Sequence, residues 1–441
     1  MELLWLRSLK EDFIAMNPSL YKKFSNPKKI TLHFGQLKME LKAVVRKTLA
    51  YDTIGLSHKL HSKFLIPKDV PYEIYNDDGD VYIGPLIAYI SLSKYKQLLN
   101  QKYVKSLPSF LDYNSVKGVI VICAEDSINL KSGTIEGYYL SKGQKKWKEG
   151  IFPLPDAIFN HSLMNQNRIS SLQKKIGDKV FNSYRLNLNK WETWQLLSTN
   201  SKIAPHLPYT EKYTNIAKVK GLLEKYHSLY LKPASRARGI GQMKLDKERR
   251  GISLVDFEKN KLFFKDYQDL SKFLDRKIST NYIVQQAVHY KAKNRHVDFR
   301  LVLQKNSDRK WGLTGLVARI AKEGSIITNA QGRDQSILGK KALKSIFGLS
   351  DEKAKSIISQ MTDIVIEAVN MYEKNGYHLG DLAADIALDP NLHIWLLELQ
   401  LNYGVNARTT EGLTEFFQRV VSTPFKYAKA LSGFTSKNTE D

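Results

Sequence analysis

A chain of 441 residues with 42% hydrophobic and 11% aromatic side chains is too apolar to be a disordered polymer and too long for one ordinary core. Its single cysteine, Cys123, excludes an internal disulfide and a cysteine-cluster metal site, and no apolar run reaches the roughly 20 residues of a membrane-spanning helix. The net charge of +24 favours an acidic partner or substrate, although the lysines are scattered and no basic–aromatic module for specific nucleic acid stands out.

Met1 to Lys10 carry an acid at position 2 and no long apolar stretch, which reads as a cytoplasmic start without a secretion signal. Residues 29–35 and 39–45 predict a hairpin across a glycine turn, and the Asn-Asp-Asp-Gly run at 76–79 predicts a second turn before 81–87. A helix is expected over 92–101. The continuous apolar run at 118–124, which holds Cys123, reads as a strand of a parallel sheet buried on both faces, and its thiol as inert.

From about residue 186 the pattern changes. Strands are expected at 227–232, 281–285, 295–304, 313–320, 382–389 and 393–401. Apolar residues at three- and four-residue steps predict a helix over 351–374, capped by Ser350 and ended by Gly376. A final helix over 411–431 is expected to break at Pro424.

The 382–389 and 393–401 pair is the most informative. Alternation puts Leu382, Ala384, Ile386 and Leu388 on one face and Asp381, Asp385 and Asp389 on the other. On the next strand Glu398 and Gln400 share a face. A short hairpin therefore brings Asp385, Glu398 and Gln400 onto one surface, an oxygen-only set suited to Mg²⁺ or to Mn²⁺ in its place. Glu398 stands in an otherwise apolar strand, where a charge needs a partner. Further upstream, Asp298 and Arg300 share a mostly polar strand face, and Arg319 ends the next strand. Arginines there can clamp a substrate carboxylate or a developing acyl-phosphate, which makes Arg300 and Arg319 the candidate catalytic residues. Residues 329–333 read as a mobile loop beside them.

Asp385, then Glu398-Leu-Gln400, then Gly404 resembles the metal signature of the ATP-grasp superfamily, an Asp followed by Glu-x-Asn and a glycine turn. Gln400 departs from it by one methylene. The run from Leu229 through Lys232, Pro233 and Ser235 to Gly241 looks like the superfamily's strand lysine and glycine-rich phosphate loop. Joint order and spacing of Ile83-Gly-Pro85, Ile135-Glu-Gly-Tyr138, Phe152 to Asp156 with Asn160, Gln285-Gln286, Asp298-Phe-Arg300 and Trp311 to Arg319 resemble the YheC/YheD family of endospore coat-associated proteins over nearly the whole chain.

The resemblance implies a mixed α/β and α+β multidomain chain: a β-rich region at 1–84, a small α/β domain at 85–185, an ATP-grasp domain at 186–434 and a tail at 435–441. It implies ATP held by Lys190, Lys232, Ser235, Arg238, Gly239 and Gly241 at the phosphates and by Gln285, Gln286 and Val288 at the adenine hinge, with metal on Asp385, Glu398 and Gln400. Ammonium groups suit phosphates as point charges, and glycines let backbone N–H groups approach them. Two readings follow. One is an ATP-dependent carboxylate–amine ligase whose acid and amine are unknown, an acidic polymer or coat protein among them. The other is a non-catalytic ATP-binding coat or scaffold protein. Either is expected in the cytoplasm or associated with the spore coat.

Overall fold

The computed structural model describes residues 1–60, 66–99, 113–141, 147–162, 164–182, 189–236, 239–278, 281–288, 291–292, 295–323, 325, 328, 332–401, 403 and 413–435. Four sheets organise them.

The first sheet holds β1 (Glu2–Leu6), β2 (Phe13–Met16), β3 (Lys29–Phe34), β4 (Leu37–Val45), β5 (Thr53–Ser57), β6 (Glu73–Asp77) and β7 (Asp80–Gly84), in the order β1-β5-β2-β4-β3-β7-β6. The predicted 29–45 hairpin is β3–β4. The turn between β6 and β7 puts Asp78 at φ 49° and Gly79 at φ 84°. Two left-handed residues in succession match the strand twist of a tight hairpin, which is why Asp-Gly stands there.

The second sheet holds β8 (Leu86–Leu92), β9 (Val119–Asn129), β10 (Thr134–Leu140), β11 (Trp147–Pro153), β12 (Ala157–Asn160) and β13 (Val180–Phe181), in the order β11-β10-β9-β8-β12-β13. β9, β8, β12 and β13 run parallel, as the apolar 118–124 run requires. Cys123 is fully buried on β9, and burial pushes its thiol up to about 12, so it is unreactive packing. Of the helix expected at 92–101, Tyr95–Leu98 is helical and 92–94 is not, and residues 100–112 lie outside the described ones. The first two sheets share one hydrophobic cluster, with Phe34 of β3, Ile87 of β8 and Phe152 of β11 in it.

The third sheet is antiparallel: β14 (Thr210–Lys212), β15 (Ser228–Pro233), β16 (Met243–Glu248), β17 (Gly251–Asp256), β18 (Lys261–Phe264) and β19 (Tyr282–Gln286), in the order β14-β19-β15-β16-β17-β18. Helices Ile216–Tyr226 and Tyr267–Lys277 cover one face, burying Leu223 and Leu270 against Leu231 and Leu254.

The fourth is also antiparallel: β20 (Lys291–Ala292), β21 (Arg295–Lys305), β22 (Trp311–Ala321), β23 (Arg333–Leu338), β24 (Asp381–Leu388) and β25 (Ile394–Gln400). Its order is β23-β22-β21-β24-β25, with β20 on β21. The helix Asp351–Lys374 backs it. Ser350 Oγ accepts from Lys353 N at 3.2 Å, and Gly376 at φ 83° follows its end. Its buried stripe (Ile357, Met361, Val365, Ala368) packs on Leu382, Ala384, Ile386 and Leu388, the apolar face that alternation predicts.

One expectation fails. The last helix runs unbroken over Leu413–Leu431 with Pro424 inside it. Proline cannot donate to the Val420 carbonyl four residues back. Gln304 Nε2 of β21 donates to that carbonyl instead, at 2.7 Å, and so replaces the lost bond. The same helix packs Phe416 and Val420 on the fourth sheet, and Phe425 and Tyr427 in the N-terminal cluster.

Candidate functional site

The third and fourth sheets face each other across a cleft of about 240 Å³. Lys190, Lys232, Gly239, Gln285, Gln286 and Val288 line one wall, and Asp298, Arg300, Arg319, Asp385, Glu398 and Gln400 line the other.

Strand register builds the second wall. Asp298 of β21 pairs with Arg319 of β22, Arg300 of β21 with Asp385 of β24, and Asp385 with Glu398 of β25. Directly opposed residues of an antiparallel pair point the same way, so acids and arginines alternate across one face. Arg319 donates Nε to Asp298 Oδ1 at 2.7 Å and Nη2 to Oδ2 at 2.6 Å, and its Nη2 lies 3.0 Å from Asp385 Oδ2. Arg300 donates Nε to Asp385 Oδ1 at 3.0 Å and Nη2 to Oδ2 at 3.1 Å and to Gln400 Oε1 at 2.9 Å. Thr328 Oγ1 closes a further bond to Asp298. Burial alone would raise the Asp385 carboxyl; the guanidiniums of Arg319 and Arg300 outweigh it and hold the group below the usual carboxylate range. Burial lowers the Arg319 guanidinium, but Asp298 and Asp385 turn the balance and raise it.

The Gln400 amino group donates to Asp385 Oδ2 at 3.0 Å and Glu398 Oε2 at 3.4 Å. Two carboxylates thus face one point that a neutral amide donor already holds. The amide would offer its oxygen there only if turned end for end, which gives up the bond from Arg300. This donor set fits a hard divalent cation. Asp381, on the same strand face, is used otherwise: it accepts from Gln304 Nε2 and the Tyr403 hydroxyl, each at 2.6 Å, deep in the core.

The first wall carries the lysines. Lys190 opens the helix Lys190–Ser198, whose capping box pairs Asn189 with Glu192. Its Nζ donates to the Arg236 carbonyl at 2.5 Å and lies 3.9 Å from Glu398 Oε1 across the cleft. Lys232, near the end of β15, donates to Gln285 Oε1 at 2.7 Å. Burial lowers its ammonium from 10.5 to about 8, Lys190 adds to the fall, and Glu398 opposes it. Gln285 donates its amide to Thr210 Oγ1 at 2.9 Å, which fixes which end faces Lys232. Gln286 Oε1 accepts from Tyr209 N at 3.2 Å.

Not every predicted residue joins them. Ser235 is exposed, 3.5 Å from Asn281 Nδ2 and away from the lining. Gly241 has φ 78°, and a Cβ there would lie 2.9 Å from the Tyr282 hydroxyl and 3.0 Å from Pro233; that close approach explains its glycine. Arg238, Gly404 and residues 329–331 of the expected loop lie outside the described residues. Sequence reasoning missed Trp194, Tyr230 and Thr328 in the lining. Trp194 stands one helical turn after Lys190 and was readable by that spacing; Thr328 carries no local signal.

Two antiparallel sheets closing on this cleft make the C-terminal half an ATP-grasp fold. The family model described as YheC/D like ATP-grasp matches residues 177–431, more than half of the chain, and the chain belongs to that family. Among curated proteins, endospore coat-associated protein YheD of Bacillus subtilis (strain 168) is 24% identical over 415 residues, covering 88% of this chain and 89% of its own. Endospore coat-associated protein YheC of the same organism is 22% identical over 271 residues, covering 58% and 73%. Among solved structures, D-alanyl-alanine synthetase A from Vibrio cholerae aligns at 14% identity and TM-score 0.46, covering 81% of this chain and 99% of that one. The ATP-grasp ligase PsnB complexed with minimal precursor aligns at 13% and 0.45, covering 80% and 99%.

Proposed function

We propose that the chain binds ATP with Mg²⁺ in this cleft and joins a carboxylate to an amine, with the acid activated as an acyl-phosphate. The observation that carries the reading is the meeting of both walls: the Lys190 ammonium stands 3.9 Å from Glu398, which is paired in register with Asp385. Phosphate-directed cations and metal-directed carboxylates therefore share one space.

Lys190 and Lys232 hold the phosphates, each now bonded to a neutral carbonyl or amide oxygen that a phosphate oxygen can replace. Gln285, Gln286 and Val288 border the adenine. Asp385, Glu398 and Gln400 hold the ion, Mg²⁺ or Mn²⁺, which when bound neutralises phosphate charge. Arg300 and Arg319 face the transferring group and the substrate carboxylate, held in place by Asp298 and Asp385. Names of the relatives support a place at the endospore coat, with the chain divided into 1–84, 85–185, 186–434 and 435–441.

A second reading, ATP binding without catalysis as a coat or scaffold protein, is favoured by one contact: the Gln400 oxygen is taken by Arg300. Calorimetry with ATP, with and without Mg²⁺, tests the binding. Micromolar, Mg²⁺-dependent affinity is expected, and absence of binding under both conditions rejects both readings. Release of ADP that depends on added extract of sporulating cells separates the ligase from the scaffold.

A further inference from the structure

The acid–arginine face extends one strand beyond the cleft. β22 and β23 pair in register as far as Ile320 with Gln335 and then slip, so that Ala321 faces Arg333 and Asp334 becomes the extra residue. An extra residue on one strand re-aims the side chain beside it. Here it sets Arg333 opposite Ala321, two positions along β22 from Arg319 and so on the same side of the sheet.

The charges around it are already committed. Arg319 is bound by Asp298 and Asp385. Asp334, next to Arg333 in sequence, is taken by Arg295 Nη2 at 2.6 Å. Arg333 is half-buried, and its side chain has no hydrogen-bond or ion-pair partner among the described residues. Burial, then the positive charges of Arg319 and Arg300, press its guanidinium below the ordinary arginine range, while Asp298 pulls the other way. A desolvated cation beside two others, with no bound acid, is costly unless an anion arrives.

We propose that Arg333 receives a second anionic group of the substrate, so that the acid activated in the cleft is a dicarboxylate or an acidic peptide side chain with a neighbouring carboxylate. The inference rests on the ligase reading and adds the substrate class to it. A planar guanidinium matches a carboxylate through two parallel N–H donors, which a lysine would not reproduce. The +24 net charge suits such a substrate too.

The test uses the full chain saturated with ADP and Mg²⁺. Calorimetry then follows glutarate, and butyrate as its monocarboxylate counterpart, in the wild type, Arg333→Met and Arg333→Lys. Glutarate is expected to bind the wild type roughly 10- to 100-fold more tightly than butyrate, the range of one charged hydrogen-bonded pair. Arg333→Met should abolish that preference, Arg333→Lys should keep part of it, and ADP affinity should stay within about twofold. Equal binding of the two acids by the wild type, or binding of neither, overturns the proposal. So does a preference that survives in both variants. A parallel loss of ADP affinity assigns the residue to the nucleotide and overturns it as well. Failure of ADP to bind the wild type is a separate result: it removes the nucleotide-dependent reading, and glutarate titrated onto the nucleotide-free chain then decides whether Arg333 is an anion-binding residue.

Discussion

The two walls of the cleft treat charge in opposite ways. On the fourth sheet, Asp298 and Asp385 are matched by Arg319 and Arg300 through five contacts of 3.1 Å or less, so the charges compensate one another within the fold. On the facing wall, Lys190 and Lys232 donate to neutral oxygens of Arg236 and Gln285, and Glu398 lies across the cleft from Lys190 at 3.9 Å. Buried ion networks that are complete fix geometry; buried cations that are incomplete await an anion. One wall is thus held by its own charges, and the cations of the other rest on neutral partners.

The largest effect should come from breaking the compensated wall. Asp385→Asn leaves Arg300 and Arg319 without the carboxylate they share, and urea unfolding should show a loss of about 3–5 kcal/mol at pH 7. The sign with pH follows from the lowered Asp385 carboxyl. Its stabilisation is present above the unfolded-chain value near 4 and is lost as pH falls through the folded value, so wild type and variant should converge in acid. A variant as stable as the wild type at pH 7 would erase the distinction between the walls.

Lys232→Met should act the other way. The folded ammonium titrates near 8 and the unfolded one near 10.5, so folding releases a proton between those values and wild-type stability rises with pH across that window. Removing the buried cation should stabilise the free chain at pH 7 by about 1–3 kcal/mol, with the gain vanishing toward pH 10. ATP affinity of the wild type should weaken as pH rises through about 8, by up to about tenfold per unit, because the free chain loses the ammonium that meets phosphate. Flat affinity from pH 7 to 9 would count against Lys232 as a phosphate ligand.

Much of this was legible in the chain. Alternation along 381–389 placed Asp385 on the cleft face and Leu382, Ala384, Ile386 and Leu388 on the helix face, because a strand fixes both by period two. The three- and four-residue steps of 351–374 gave that helix with its Ser350 cap. What failed was long-range. Pro424 read as a break because its remedy, the Gln304 amide, lies 120 residues earlier on another element. Asp381 and Asp385 look alike in sequence, yet one enters a core network with Tyr403 and the other the cleft. Arg333 depends on a one-residue slip between strands that no local pattern announces.

The smallest stability effect should belong to Glu398→Gln, and it sharpens the comparison because binding and folding should part there. The Glu398 side chain is 40% exposed, and its ion contact with Lys190 is 3.9 Å long. Exposed pairs of this kind contribute about 0–1 kcal/mol, so thermal unfolding should move little. Asp385 stays paired with its arginines, which leaves the compensated wall intact. The carboxylate opposite Asp385 is nonetheless half of the charge offered to a divalent ion. Mg²⁺-dependent ATP affinity should therefore fall by at least about tenfold, the scale of one charged hydrogen-bonded contact, while affinity without Mg²⁺ is unchanged or rises as the cleft becomes less negative. Equal losses with and without Mg²⁺ would move Glu398 from the ion to the nucleotide, and a loss of stability near that of Asp385→Asn would make Glu398 part of the network that holds the compensated wall together.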